Sequence, residues 1–180
     1  STISLEQAQQ IVVASQFHGV PCIPRPVSHS NDVLKPLLEA GSNGAMLPMV
    51  ETEGDVARIA RDFFYPPKGR RSFGVSRAQV YGLETSEYFK NWNDQGVLMI
   101  QIESVEGVDN ASVILENGDI DGVMIGPMDL SGSLGVPGQT DHPKVLEAAK
   151  HVIEECKKAG VSCGTQVSDP NQSNVGSLFA

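Results

Sequence analysis

Short, wholly apolar runs alternate along this chain with segments of helical spacing, and few folds tolerate that alternation. Val97-Leu98-Met99-Ile100-Gln101-Ile102 is the cleanest run; Ala45 to Val50 and Gly122 to Ile125 repeat its character, and Val161 to Val167, more polar, is read as one more strand. They lack the period-2 polarity of half-solvated strands, so they read as strands of a parallel sheet covered by helices. Pro21 to Val27 (PCIPRPV) reads as another strand, with Pro21, Pro24 and Pro26 leaving its backbone pairing incomplete. A further short strand is read near Phe73 to Val75. Helices are expected over about residues 5–17, 32–40, 53–64 and 86–93, then from the end of the Val97 run to about Glu116, and over 143–159. Ser4 with Gln7 forms a capping-box pattern, Pro143 suits a first helical position, and Gly41 and Gly160 suit helix stops. YPPKGRRSFG, residues 65–74, is loop.

No GxGxxG or GxxxxGK pattern follows any of the runs, which disfavours dinucleotide and P-loop folds. The expected fold is therefore α/β, a (β/α)8 TIM barrel. Such barrels take about 250 residues, so this chain of 180 residues is expected to be one barrel domain, 1–180, truncated at both ends, with the first and last strands absent.

With 40% hydrophobic and 19% charged residues the chain can bury a core. Thirteen Lys plus Arg against 22 Asp plus Glu give a net charge of −9, which argues against nucleic acid or an anionic membrane as the main partner. Cys22, Cys156 and Cys163 form no CxxC or Cys/His cluster, so neither a disulfide framework nor a zinc site is indicated, and a cytoplasmic location fits best. No apolar run approaches the roughly 18 residues of a membrane span.

In a parallel barrel the chemistry collects where strands end, so polar residues closing apolar strands carry the most information. Arg25 closes PCIPRP, although a surface arginine is an equal reading of its position. Gln101 and Glu103 alternate with Ile100 and Ile102, so both project to one face, the lumen of a barrel. A buried Glu103 requires a cation, an arginine or a proton, and a structural ion pair is the plain alternative. Asp129 follows the next strand in Gly126-Pro127-Met128-Asp129, where it either caps a turn or faces Glu103. Adjacent strands lie about 4.8 Å apart, so two carboxylates at successive strand ends can share one ion. With no Cys or His nearby, that ion is a hard cation, Mg2+ first, with Mn2+ or Co2+ as alternatives. Gly126 and the backbone after it can bring amides to a substrate carboxylate.

RPVSHSNDVLKPLLEAG, MLPMVETEGDVARIARDFFYPPKGRRSFG, VLMIQIESVEGVDN and IDGVMIGPMDLSGSLGVPGQTDHPKV, in this order, resemble the class II (metal-dependent) pyruvate aldolases, the family of 4-hydroxy-2-oxoheptanedioate and 2-dehydro-3-deoxyglucarate aldolases. The resemblance covers nearly the whole chain. It implies that Glu103 and Asp129 are metal ligands and that Arg25 is a catalytic and substrate-binding arginine. It also implies that Gln101 lies beside the bound pyruvate and that Glu39 is the catalytic acidic partner of a histidine base; Gly126, Pro127 and Met128 are the substrate-binding candidates of the turn after the strand. In the family that histidine lies in an acidic-x-x-His segment ahead of the helix that opens this sequence, and these 180 residues do not include it. Of His18, His29, His142 and His151, only His29, in the loop after Arg25, is a candidate substitute.

The expected function is metal-dependent, reversible aldol cleavage of a 4-hydroxy-2-oxo acid to pyruvate and an aldehyde through an enolate, in a homo-oligomer (a hexamer or trimer of dimers, by the resemblance). A Schiff-base route is disfavoured because the lysines fall in expected loops and helices. Arg70 and Arg71 are candidates to receive an acidic aldehyde, although a loop arginine pair is more often solvated or at a subunit contact. The rival readings are a citramalyl or malyl thioester lyase and a non-catalytic 2-oxo acid binding subunit.

Overall fold

The computed structural model describes residues 3–116 and 118–166. Its sheet has four parallel strands, β1 (Gly44–Leu47), β2 (Val97–Ile102), β3 (Gly122–Ile125) and β4 (Ser162–Thr165), in the order β1-β2-β3-β4. Sequential order without reversal means the chain winds in one direction only. Every crossover helix then falls on the same face, as in the wall of a (β/α)8 barrel, whereas a doubly wound sheet reverses and covers both faces.

Side-chain burial follows that division. Ala45, Leu47, Leu98, Ile100, Ile102 and Val123 are 0% exposed on the helix-covered face. On the opposite face Met46, Met99 and Met124 are only half-buried, because no described helix covers it. Register places Met46 beside Met99 and Gln101 beside Met124, so Gln101 belongs to this second, lumenal face.

The helical layer comprises α1 (Leu5–Phe17), α2 (Asn31–Glu39), α3 (Glu53–Phe63), α4 (Thr85–Gln95), α5 (Val105–Asp109), α6 (Ala111–Leu115), α7 (Pro127–Ser133) and α8 (Pro143–Ala159). The expected Ser4/Gln7 capping box opens α1, a second one, Thr52/Asp55, opens α3, and Gly160 at φ 70° stops α8. Val56, Ile59 and Phe63 of α3 are fully buried, and Trp92 Nε1 of α4 donates to Phe63 O at 3.0 Å, fixing α4 against α3.

Several expectations are corrected. Pro21 to Val27 runs beside β1 without forming a ladder. Asn43 N donates to Cys22 O at 2.9 Å and Met46 N to Pro24 O at 3.0 Å, but prolines 21, 24 and 26 have no N–H with which to reciprocate. Phe73 to Val75 is not a strand: β1 pairs directly with β2, and Phe73 instead stacks on Tyr65 at 4.9 Å. The strand read over Ala45 to Val50 stops at Leu47, where Pro48 and Met49 turn the chain. The helix read to Glu116 is divided at Asn110, whose Nδ2 donates to Glu51 O at 2.8 Å. The Gly-rich stretch after β3 begins as α7, with Pro127 at its first position. Val167, the expected end of β4, lies outside the described residues.

The 65–74 loop holds a second surprise. Arg71 is 3% exposed, its guanidinium 4.6 Å from the ring centroids of both Tyr65 and Trp92, and Nη2 donates to Tyr88 OH at 3.3 Å. Enclosed by rings, it is neither solvated nor open to an aldehyde, and its charge is held largely by cation–π attraction. Arg70 is exposed.

Candidate functional site

The carboxyl ends of β2 and β3 converge on Glu103. This residue directly follows β2, is 4% exposed, and accepts a hydrogen bond from Met49 N at 2.9 Å through Oε1. Met49 turns at φ 51°, a left-handed conformation that costs a non-glycine residue of order 1 kcal/mol and that here accompanies an N–H aimed at the carboxylate. Across the gap, Gly126 follows β3, and its N–H donates to Ile102 O at 3.2 Å. A Cβ on Gly126 would overlap Glu103 Oε2 and lie 2.7 Å from Glu103 Cβ. Only glycine lets the carboxylate lie across the end of β3.

Asp129 stands in the first turn of α7, exposed, and supplies no capping bond there. Its helix is fixed from behind: Leu130 is fully buried, and Ser133 Oγ accepts from Val105 N at 2.9 Å. Ser131 Oγ accepts from Gly138 N at 2.8 Å and donates to Met128 O at 2.6 Å, closing the loop after β3.

Burial is the main cause that pushes the Glu103 carboxyl above the ordinary carboxylate range. The Met49 N–H pulls it back, the neighbouring Asp129 charge pushes it further up, and the Arg25 charge draws it down. Glu103, Asp129 and Arg25 therefore form one electrostatic neighbourhood. Gln101, two residues earlier on the same face, is 6% exposed, and its Oε1 has no hydrogen-bond partner among the described residues. Pro127 is half-buried and Met128 is 56% exposed, so both border the site from outside.

Glu39 is not brought to this rim. It ends α2 next to the amino end of β1, pairs with Lys35 Nζ at 3.5 Å, and faces Gly74. From the level of Val97, the partner of Gly44, to Glu103 is about 20 Å along the strand at ~3.3 Å per residue. His29 is half-buried in its loop and is not among the groups acting on Glu103.

The donor set suits a hard cation. The charges of Asp129 and Arg25 both act on Glu103, which is buried and pushed toward its neutral form, and the Gln101 amide oxygen nearby is buried without a partner among the described residues. Among the described residues no group of three or more His, Cys, Asp or Glu side chains could hold a metal. Two protein carboxylates, with the remaining positions left to water and substrate oxygens, are a usual Mg2+ arrangement. Sequence reasoning missed Met49, whose contribution is a backbone N–H 54 residues from Glu103. An apolar side chain after Pro48 gives no sign of it.

The one-way parallel α/β wall carries its candidate site at the carboxyl edge, as barrel enzymes do, and residues 5–176 match the HpcH/HpaI aldolase/citrate lyase family: the chain belongs to that family. It is 37% identical over 133 residues to a 5-keto-4-deoxy-D-glucarate aldolase of Citrobacter koseri, covering 73% of this chain and 51% of that protein. It is 36% identical over 163 residues to a 2-keto-3-deoxy-L-rhamnonate aldolase of Klebsiella pneumoniae, covering 89% and 60%. The chain thus spans about half to three-fifths of the length of these relatives. Among solved structures, the HpcH/HpaI aldolase of Desulfitobacterium hafniense superimposes with a TM-score of 0.90 at 29% identity, over 99% of this chain and 69% of that one. The citrate lyase beta subunit of M. tuberculosis, complexed with oxaloacetate and magnesium, shares the fold at a TM-score of 0.55 and 15% identity, over 90% and 64%.

Proposed function

We propose that residues 1–180 form a single aldolase-type barrel domain of a carbon–carbon lyase that cleaves a 4-hydroxy-2-oxo acid reversibly to pyruvate and an aldehyde, with Glu103 and Asp129 holding a divalent cation. The observation that carries this reading is the buried Glu103 carboxylate laid across Gly126, its carboxyl pushed up by burial and by the charge of Asp129. The names of the relatives, aldolases of 2-keto-3-deoxy and related acids, agree with it. Magnesium is the cation favoured by the two-carboxylate set, and when bound it supplies Lewis-acid polarisation of the substrate keto oxygen.

The chain's own groups have the following parts. Arg25 offers a positive charge at the rim where negative charge develops on the keto oxygen. Gln101 presents its side-chain amide from the lumenal face to orient the 2-oxo acid. The Gly126-Pro127-Met128 turn leaves room for the substrate carboxylate. Met49 N–H holds one Glu103 oxygen and so fixes the direction of the other. β1 to β4 contain no lysine, which agrees with a route without a Schiff base. None of His18, His29, His142 and His151 is among the groups acting on Glu103, so this reading takes proton transfer from a group outside residues 1–180. Glu39 retains the role of orienting that base by resemblance alone; its position near the amino end of β1 gives the role no support. We place the enzyme in the cytoplasm as a homo-oligomer.

The test is a retro-aldol assay of the full-length protein on 2-keto-3-deoxy acids with and without Mg2+, alongside calorimetric titration with pyruvate or oxalate. Pyruvate release that requires the cation is the expected result. Metal-dependent oxalate binding without turnover would overturn the lyase reading in favour of a 2-oxo acid binding subunit.

A further inference from the structure

Cys156 and Cys163 lie away from the carboxylate rim and take no part in the reaction above. Cys156 is near the end of α8 and fully buried; Cys163 is on β4 and half-buried. Strand register determines where Cys163 points. It pairs with Val123, which is fully buried on the helix-covered face, whereas the next residue, Gly164, pairs with Met124 on the lumenal face. Register partners in a parallel sheet share a face, so Cys163 faces the helical layer, and it packs against the same core cluster that contains Cys156. The turn between them is tight: Gly160 reverses the chain at φ 70°, and Val161 N returns to Cys156 O at 2.9 Å. Each thiol is the other's foremost partner. Interaction with Cys163, together with burial, drives the Cys156 thiol up, and interaction with Cys156 draws the Cys163 thiol below its ordinary value against the opposing effect of burial.

We propose that Cys156 and Cys163 form a reversible oxidation site, at which a hydroperoxide converts the two thiols into a disulfide that joins α8 to β4. The more accessible Cys163 thiol gives up its proton and the thiolate attacks one peroxide oxygen; the O–O bond breaks, giving Cys163 sulfenic acid and a hydroxide that takes up the released proton as the first water. The Cys156 sulfur then attacks the Cys163 sulfur, the S–O bond breaks, and the departing hydroxyl takes the Cys156 proton as water. Two thiols lose two electrons and hydrogen peroxide becomes two molecules of water, so the exchange balances. A dithiol reductant reverses it. The bond would anchor the outer strand β4, which is hydrogen-bonded to the strand leading into Gly126 and Asp129.

Lys157 and Lys158 lie between the two cysteines, so trypsin separates them unless a disulfide holds the peptides together. The reduced full-length protein is treated with one equivalent of hydrogen peroxide, blocked with N-ethylmaleimide, digested and analysed by mass spectrometry. The expected product is a joined pair of peptides containing Cys156 and Cys163, two hydrogens lighter than their sum, abolished by dithiothreitol, with Cys22 still alkylated. Cys163→Ser should abolish it while melting near the parent temperature. That variant is preferred because Cys156→Ser, in the core, is liable to unfold the chain. Recovery of Cys156 as the alkylated thiol after oxidation, or of Cys163 joined to Cys22 or to a second chain, would overturn the proposal.

Discussion

Asp55 and Glu103 both follow a parallel strand and both accept backbone N–H donors, yet their surroundings treat them oppositely. Asp55, in the first turn of α3, receives Glu51 N at 3.2 Å, Thr52 N at 2.9 Å, Thr52 Oγ1 at 2.9 Å and the Arg58 guanidinium. Burial alone would push its carboxyl up, but these donors outweigh it and hold Asp55 below the ordinary range. Glu103, at the end of β2, is more deeply enclosed and has one backbone donor, with a second carboxylate facing it. One carboxylate is neutralised by its own turn and serves to start a helix. The other is left short of positive charge, as a group is when a ligand completes it.

Substitutions at the two places should therefore have different consequences. The largest effect is expected from Gly126→Ala. The added methyl must displace Glu103, so metal-dependent oxalate affinity should fall by at least roughly 100-fold and stability by about 1–3 kcal/mol, measured by calorimetry and denaturant unfolding. Near-parental affinity would show that the carboxylate need not cross Gly126. Asp55→Ala should leave oxalate binding unchanged and cost about 1 kcal/mol of stability through the lost capping box. A loss of binding that exceeds the loss of stability would erase the distinction between the two carboxylates.

A pH titration separates them further. Because the folded-state pKa of Asp55 is depressed, its contribution is complete above the unfolded carboxylate value near 3.9 and is lost as pH falls through the lower folded value. Unfolding curves of Asp55→Asn should thus show a shallower loss of stability on the acid side than the parent, and parallel curves would refute the assignment. The smallest effect is expected at Glu39. Its distance from the rim predicts that Glu39→Gln leaves Mg2+ and oxalate affinity within about twofold, well under the ~1.4 kcal/mol that a tenfold change represents.

Much of this was legible in the sequence, and the limits have physical causes. The apolar run ending in Gln101-Ile102-Glu103 announced the central strand and placed Gln101 and Glu103 on one face at its end, because alternation fixes the face of each side chain whatever the surroundings. Asp129 was legible as the next strand-end carboxylate, and Gly126 as part of a small-residue turn. The reason Gly126 must be glycine was not, since it depends on the approach of a side chain from another strand. Met49 was hidden for the same reason: its left-handed turn belongs to no local pattern. The spacing of Glu39 placed it at a helix end, but which end of the sheet that helix reaches is set by the winding. Arg71 looked like a solvent-facing loop residue because the rings that enclose it come from positions 65, 88 and 92.

The central claim is that Glu103 and Asp129 hold a divalent cation that binds a 2-oxo acid. Calorimetric titration of oxalate into the full-length protein and its Glu103→Gln variant, each with and without Mg2+, tests it most directly. The variant keeps the shape of the side chain and an oxygen for the Met49 N–H, so it should melt within a few degrees of the parent. Mg2+-dependent oxalate binding is expected in the parent, with a loss of roughly 100-fold in Glu103→Gln. Equal affinity in the two proteins, or binding indifferent to Mg2+, would contradict it.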